Sequence, residues 1–269
     1  LAALPWDDRL LCYEVGLTRD AEGQGVAKRE ALRTPEPMTG FQDCFKYLEA
    51  TPQRKQIYSR QQHRLVPFDE AVPQSTSPGT SVDSALPPPA VEPALMLSQI
   101  QFFNEFPIPS SARALLAQMV FYTGFDVTRY SALRTKPAEI RPTTVLSENG
   151  QNLGTVLHEI LTRYDHRGAA AEIRDFLKVA YPFFEEIHCD TSFGGPPQVL
   201  VRVRERGMQR SAELSELSDG MVRFLCLATA LLNPIPPPFV AVDEPESGLH
   251  PKLLPIVADM IKTASERTQ

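Results

Sequence analysis

The chain has 269 residues, 42% of them hydrophobic, with 27 Lys and Arg against 33 Asp and Glu for a formal net charge of −6. That length suits one large α/β domain or a domain with an inserted lobe, and the charge excludes nucleic-acid binding by the chain's overall electrostatics, leaving only a local basic patch open. No apolar run is as long as a membrane span, the N-terminus lacks the basic-then-apolar order of a secretory signal, and Cys12, Cys44, Cys189 and Cys226 show no CxxC spacing, so a reducing cytoplasm without zinc or a disulfide framework is expected.

Taken in order, Leu10 to Leu17 partly alternates, Asp20 to Gly25 reads as a turn, and Val26 to Leu32 returns as the second strand of a hairpin. Phe45 to Glu49 and Gln56 to Arg60 form a second pair joined by a polar turn around Pro52. The basic run Arg54, Lys55, Arg60, His63 and Arg64 is either a solvated face or a contact for a phosphate backbone. From Val72 to Pro93 the chain is rich in Pro, Ser and Thr, which reads as a linker or mobile loop.

A helix is expected over 93–104 on the apolar positions Leu95, Leu97, Ile100 and Phe103, then another capped by Ser110 or Ser111 with Leu115, Leu116, Met119 and Val120 inward. Asn152 is placed to cap a helix whose stripe is Leu153, Val156, Leu157, Ile160 and Leu161. Ile173, Phe176, Leu177 and Val179 mark the next, which ends before Pro182. Phe184 to Cys189 and Val199 to Arg204 flank Gly194-Gly195-Pro196-Pro197 as a hairpin, with the valines on one face and Arg202 and Arg204 solvent-facing on the other.

The most informative stretch is last. Leu217-Ser218-Asp219-Gly220 opens an apolar helix from Met221 to Leu232, with Cys226 as a small core residue. Phe239-Val240-Ala241-Val242 then runs into Asp243-Glu244-Pro245-Glu246-Ser247-Gly248-Leu249-His250-Pro251. A four-residue apolar run suits a buried parallel strand, and ligands bind beyond the carboxyl ends of such strands. Two adjacent acids there can divide the work, one holding a magnesium ion and the other orienting or deprotonating a water. The plainer alternative is a strand that ends in a polar turn.

That order of elements resembles the nucleotide-binding head of ABC-type ATPases, in the SMC/RecF-like branch of the AAA-family predicted ATPases. The segments Phe121-Tyr122, Leu133-Arg134 and Gly150-Gln151-Asn152-Leu153 resemble the same family. The resemblance implies an α/β P-loop NTPase of ABC/SMC head type: a parallel core sheet, an antiparallel β lobe over 1–70, a linker over 71–93, a helical subdomain over 94–182, and the signature, Walker B and D-loop part of the core over 183–269. It implies ATP and Mg2+ as cofactors. Asp243 would hold the metal and Glu244 would act on the attacking water. Leu217, Ser218, Asp219 and Gly220 would touch ATP bound by a partner head, and Ser247, Gly248, Leu249 and His250 would lie along the dimer seam. His250 is equally a cap for the helix starting at Pro251. Arg223 stands one turn into the signature helix, at the interface or in a surface ion pair.

The implied partners are a second copy, as a homodimer or higher oligomer, and an effector protein, in DNA repair or anti-phage defence. DNA is an open alternative, and no membrane is implied. No G-x-x-x-x-G-K-[ST] motif and no Gly-Lys pair occur among the 14 glycines. In the resembled family that loop precedes the point where this sequence begins, and a γ-phosphate-sensing histidine follows where it stops. The sequence, which does not begin with Met, is therefore expected to be the middle of a head. A head without its phosphate loop would be inactive alone, so a degenerate head acting as a structural or regulatory subunit is the alternative. An endonuclease using Asp243 and Glu244 would need a further acidic cluster.

Overall fold

The computed structural model describes residues 2–4, 7–19, 25–37, 42–71, 95–100, 104–164, 168–192 and 197–267. The chain divides into two compact units, Leu1–Ala117 and Gln118–Gln269. The linker expected over 71–93 lies outside the described residues except for Ala71. Among the described residues no helix is long and apolar enough to cross a membrane.

Unit 1 is a six-stranded antiparallel meander of β1 (Ala2–Leu4), β2 (Asp7–Arg19), β3 (Gly25–Pro37), β4 (Cys44–Thr51), β5 (Arg54–Ser59) and β6 (Arg64–Pro67), each strand paired with the next. The register sets Leu32 opposite Leu48, Leu48 opposite Ile57, and Ile57 opposite Val66. Side chains alternate along a strand, so these four share one face and form an apolar row. That row is buried under Phe68, Met96, Leu97, Ile100, Phe106 and Ala112 from α1 (Phe68–Ala71), α2 (Met96–Gln99), α3 (Pro107–Leu116) and the segments beside them. Each fully buried side chain of this size stabilises the unit by roughly 1.5–3 kcal/mol.

Glu30 on β3 is also buried in this unit, only 3% exposed. The Tyr13 hydroxyl donates to Glu30 Oε1 (2.9 Å), as does the Leu97 amide (2.9 Å), and the Met96 amide donates to Oε2 (2.6 Å). A β-strand carboxylate thus receives the first amides of α2, which have no partner within the helix. Burial first, and the Glu30 charge second, push the Tyr13 hydroxyl pKa far above its ordinary range.

The helix expected over 93–104 is a single turn. Met96, Leu97 and Ile100 are all buried, at the spacing of one short helical face, Ile100 is already extended, and Phe103 lies outside the described residues. Ser110 and Ser111 do not cap α3. The helix begins at Pro107, whose fixed φ suits the first helical position, and both serines are buried inside it. The basic run is split between the two ends of β5. Arg54 and Lys55 follow the β4–β5 turn, and Arg60, His63 and Arg64 belong to the β5–β6 turn, roughly 20 Å away at 3.3 Å per residue. All five are exposed.

Unit 2 contains β7 (Val120–Tyr122), α4 (Ala132–Thr135), β8 (Ala138–Glu139), α5 (Leu153–Thr162), α6 (Ala169–Ala180), β9 (Phe184–Ser192), β10 (Gln198–Glu205), β11 (Ala212–Glu213), α7 (Asp219–Leu231), β12 (Val240–Val242) and α8 (Leu254–Arg267). Short 3-10 turns, Leu214–Glu216 and Pro251–Leu253, precede α7 and α8. β10 pairs antiparallel with β9 along its length, and with β8 and β11 at opposite ends of its other edge. Val199, Val201 and Val203 are buried, as expected. The opposite face is a ladder of ion pairs: Arg202 with Asp190 (2.6 Å) and Glu213 (3.2 Å), Arg204 with Glu185 (3.2 Å) and Glu186 (2.7 Å). Both arginines are occupied within the unit.

The core of unit 2 gathers around α7, where Met221, Val222 and every residue from Phe224 to Ala230 are buried. A helix apolar on all sides belongs inside a domain. Cys226 within it is fully buried, which pushes its thiol pKa far up and leaves it inert. Against this core lie β7 and β12, a parallel pair with Val120 opposite Val240, Ala241 opposite Phe121, and Val242 opposite Tyr122. The expected buried strand is half-buried instead. Val120, Tyr122, Val240 and Val242 face the core, while Phe121 (52% exposed) and Phe239 (45%) stand outside with ring centroids 5.8 Å apart. Among the described residues β12 has one strand neighbour, whereas parallel strands are ordinarily covered on both faces.

Candidate functional site

The N-terminus of α7 is built by the turn before it. Glu213 and Glu216 form a reciprocal capping box around the 3-10 turn, and the Glu213 amide donates to Glu216 Oε2 (3.0 Å). Arg210 grips the Glu216 carboxylate at 2.6 and 2.8 Å and, with that amide, holds its pKa down at about 2. A carboxyl whose pKa is lower in the folded chain stabilises the fold above its unfolded value, about 4.3, and loses that contribution as pH falls through the folded value. The Glu213 amide should therefore lose hydrogen-exchange protection between about pH 4.3 and 2. Full protection at pH 2 would contradict this account.

Ser218 is the N-cap of α7, its Oγ accepting from the Met221 amide (3.2 Å). The hydroxyl proton remains for donation to something else. Asp219 opens the helix with its side chain 71% exposed, where a negative charge is favoured by the helix dipole. Leu217, expected among the nucleotide contacts, instead turns into the core and is 7% exposed. It anchors the turn from beneath.

The acidic pair leaves β12 at its carboxyl end. The Asp243 amide donates to the Tyr122 carbonyl (2.8 Å), the last rung of the parallel pair. Glu244 follows at a φ of 44°. That left-handed conformation costs a residue with a Cβ roughly 1–2 kcal/mol, and such strain gathers at functional sites. The Ser247 amide donates to the Glu244 carbonyl (2.9 Å), closing a tight turn that keeps both carboxylates exposed. Of the expected seam, Leu249 is half-buried against the core and Ser247 is half-buried as well, while Gly248 and His250 are exposed. His250 caps the next turn, its Nδ1 accepting from the Lys252 amide (3.2 Å).

These two sequence segments meet in space. Gly248 has a φ of 70°, and its carbonyl oxygen lies 3.5 Å from where a Gly220 Cβ would be. A Cβ at Gly248 itself would fall 3.2 Å from Arg223 Nε. Arg223, half-buried on α7, shares with Asp243, Glu244, Pro245, Tyr122 and Phe125 a shallow pocket of about 10 Å3. It is placed beside the acids rather than in a remote surface pair. Gly248→Ala should cost about 1–2 kcal/mol from backbone strain, with Arg223 displaced as well. Urea unfolding measures it, and an alanine variant as stable as the parent would contradict the turn geometry.

Sequence reasoning missed the role of Arg134, noted only as half of a Leu-Arg pair. Its side chain is 2% exposed and bonds the backbone directly ahead of α7. One buried arginine in a four-residue helix leaves no periodic signal. β7 was missed for a similar reason, since three residues are too few to alternate.

The donor set suits a hard cation. Among the described residues no group of three or more His, Cys, Asp or Glu side chains is arranged to hold a metal. Magnesium needs no such cage, because it uses one or two carboxylates and fills its other positions with water and phosphate oxygens. A family described as "AAA domain, putative AbiEii toxin, Type IV TA system" matches residues 131–269, just over half of the chain. The chain belongs to this AAA family of P-loop ATPases. No curated protein and no solved structure matches it. Membership brings the α/β fold of P-loop NTPases, ATPase-type function, and the use of a nucleotide, usually with Mg2+. The AAA match spans α4 to α8, and so contains Arg134, the α7 turn and the acidic pair.

Proposed function

We propose that the chain is part of an ABC-type, SMC/RecF-like ATPase head that pairs head-to-tail with a second copy around ATP. The observation that carries this reading is the meeting of the Ser218–Gly220 turn with the Glu244–Gly248 turn, close enough that a Cβ added to Gly220 would lie 3.5 Å from the Gly248 carbonyl oxygen. The Ser218 hydroxyl and the first amides of α7 offer donors to an anion. Gly220 adds support: inside the chain a Cβ there would make only an ordinary contact, yet glycine in a helix costs roughly 1 kcal/mol relative to alanine. A close approach from outside the chain accounts for it.

In this reading Asp243 holds Mg2+, which when bound neutralises charge on the phosphates. Glu244 orients the attacking water and takes its proton. The pocket beside the acids, about 10 Å3, is far smaller than the roughly 300–1,000 Å3 of ordinary ligand sites, so in this reading a further surface completes the site. The single-partner edge of β12 and the outward Phe121 and Phe239 leave room for more of a parallel core. Dimerisation and hydrolysis would drive an effector protein, in DNA repair or anti-phage defence. The split of the basic run to two ends of β5 weighs against a single DNA-binding patch there.

A second reading is favoured by one observation: these 269 residues contain no Gly-Lys pair for a phosphate loop. A head that lacks the loop altogether would be a structural or regulatory subunit. ATP turnover and sedimentation of the full-length protein separate the two. Slow hydrolysis with ATP-dependent association supports the ATPase. No response to nucleotide in either measurement leaves the structural subunit.

A further inference from the structure

We infer that Arg134 is the positioning residue of the α7 turn: it fixes the backbone that presents Ser218 and neutralises Asp219, so that the turn can receive an anion. This rests on the reading of that turn as a phosphate contact. The guanidinium donates from Nε to the Val127 carbonyl (2.8 Å) and from Nη1 to the carbonyls of Leu217 (2.7 Å) and Leu214 (3.3 Å). Its Nη2 donates to Asp219 Oδ1 (2.5 Å). One planar side chain therefore ties together the loop before α4, both ends of the segment entering α7, and the first acid of the helix itself.

The chemistry of the pair explains its two halves. Arg134 is 2% exposed, and a buried guanidinium is tolerated only when bonded and charge-balanced. Three carbonyls satisfy its donors but supply no charge. Asp219 supplies it, from a side chain that is 71% exposed at the mouth of the turn. An unbalanced carboxylate in that place would repel a phosphate. With Arg134 beneath it the pair is neutral, and the positive end of α7 is what an arriving anion meets. Arg134 is too buried to touch the anion, so it acts only through the turn. Lysine cannot replace it, because a single ammonium lacks the planar fork that reaches carbonyls and carboxylate together.

The test uses the full chain with Glu244→Gln as parent, and adds Arg134→Lys, Arg134→Gln, and Arg134→Gln with Asp219→Asn. Two quantities are read: amide exchange across residues 214–221, and the ATP concentration giving half-maximal dimer. Losing charged hydrogen bonds of this kind should raise both by about tenfold or more in the single variants, with exchange in α5 and in unit 1 unchanged. Adding Asp219→Asn to Arg134→Gln should recover most of the dimer affinity, a rescue that loss of packing alone would not give. Arg134→Lys, the milder change, decides the matter if Arg134→Gln unfolds. Unchanged exchange at 214–221 in Arg134→Lys would overturn the positioning role, and failure of the Asp219→Asn rescue would overturn the charge-balancing role. If the parent itself ignores ATP, the phosphate-contact reading falls, while the exchange result still decides whether Arg134 holds the turn.

Discussion

Glu244→Gln should cut ATP turnover of the full-length protein by about 10²- to 10⁴-fold, the usual worth of a positioned general base, while leaving a nucleotide-bound dimer intact. Glutamine keeps the size of the side chain and one acceptor but cannot take a proton at neutral pH. The backbone should tolerate the change, since the φ of 44° belongs to the turn closed by the Ser247 amide and not to the carboxylate. Asp243→Asn should behave differently, weakening Mg2+ dependence as well as turnover. Single-turnover kinetics beside sedimentation distinguish the two variants. Hydrolysis by Glu244→Gln at the parental rate would remove Glu244 from the chemistry.

The second large effect falls far from those acids, in unit 1. Glu30→Ala should lower the stability of that unit by about 3–5 kcal/mol, the cost of leaving several buried hydrogen-bond donors without their acceptor. The amides of Met96 and Leu97 and the Tyr13 hydroxyl all donate to this one carboxylate. Without it two buried amides and the half-buried Tyr13 hydroxyl lose their acceptor, each buried donor costing roughly 1–3 kcal/mol before relaxation. Urea unfolding followed at amides of β3, β4 and α2 measures the loss, and a variant within about 0.5 kcal/mol of the parent would mean that water replaces the carboxylate. Tyr13 adds a pH dependence of known sign. Its pKa is raised in the folded chain, so its contribution is complete below the unfolded value, about 10, and is lost as pH rises beyond it.

Where the sequence was legible, a physical period or a fixed punctuation mark made it so. The three expected strand pairs are all strands, α5 and α6 carry apolar stripes long enough to count, and α7 is apolar on all sides. Pro182 and Pro251 stand at the boundaries they were expected to mark. The failures have equally definite causes. Asn152 stands at the N-cap position of α5 but spends its side chain on the preceding loop, accepting from the Ser147 amide (2.7 Å) and donating to the Val145 carbonyl (3.0 Å). Ser110 and Ser111 lost the capping role to a proline three residues earlier. At the site, the acids after β12 and the turn opening α7 could be placed from the sequence order, but their meeting through Gly220 and Gly248 could not. Arg134 was the least legible, because its worth lies in carbonyls as far away as Leu217, which no local pattern encodes.

The pairing of β7 with β12 also governs when the acids can arrive. Val120 and Val240 are partners 120 positions apart, and closing so long a loop is an entropic cost met before its contacts reward it. Parallel contacts of that separation form late, after α5, α6 and α7 have assembled from nearer neighbours. Asp243, fixed by its rung to Tyr122, should therefore be among the last residues of unit 2 to gain exchange protection during refolding. A chain folded only in part would then carry the turn of α7 without the acidic pair beside it.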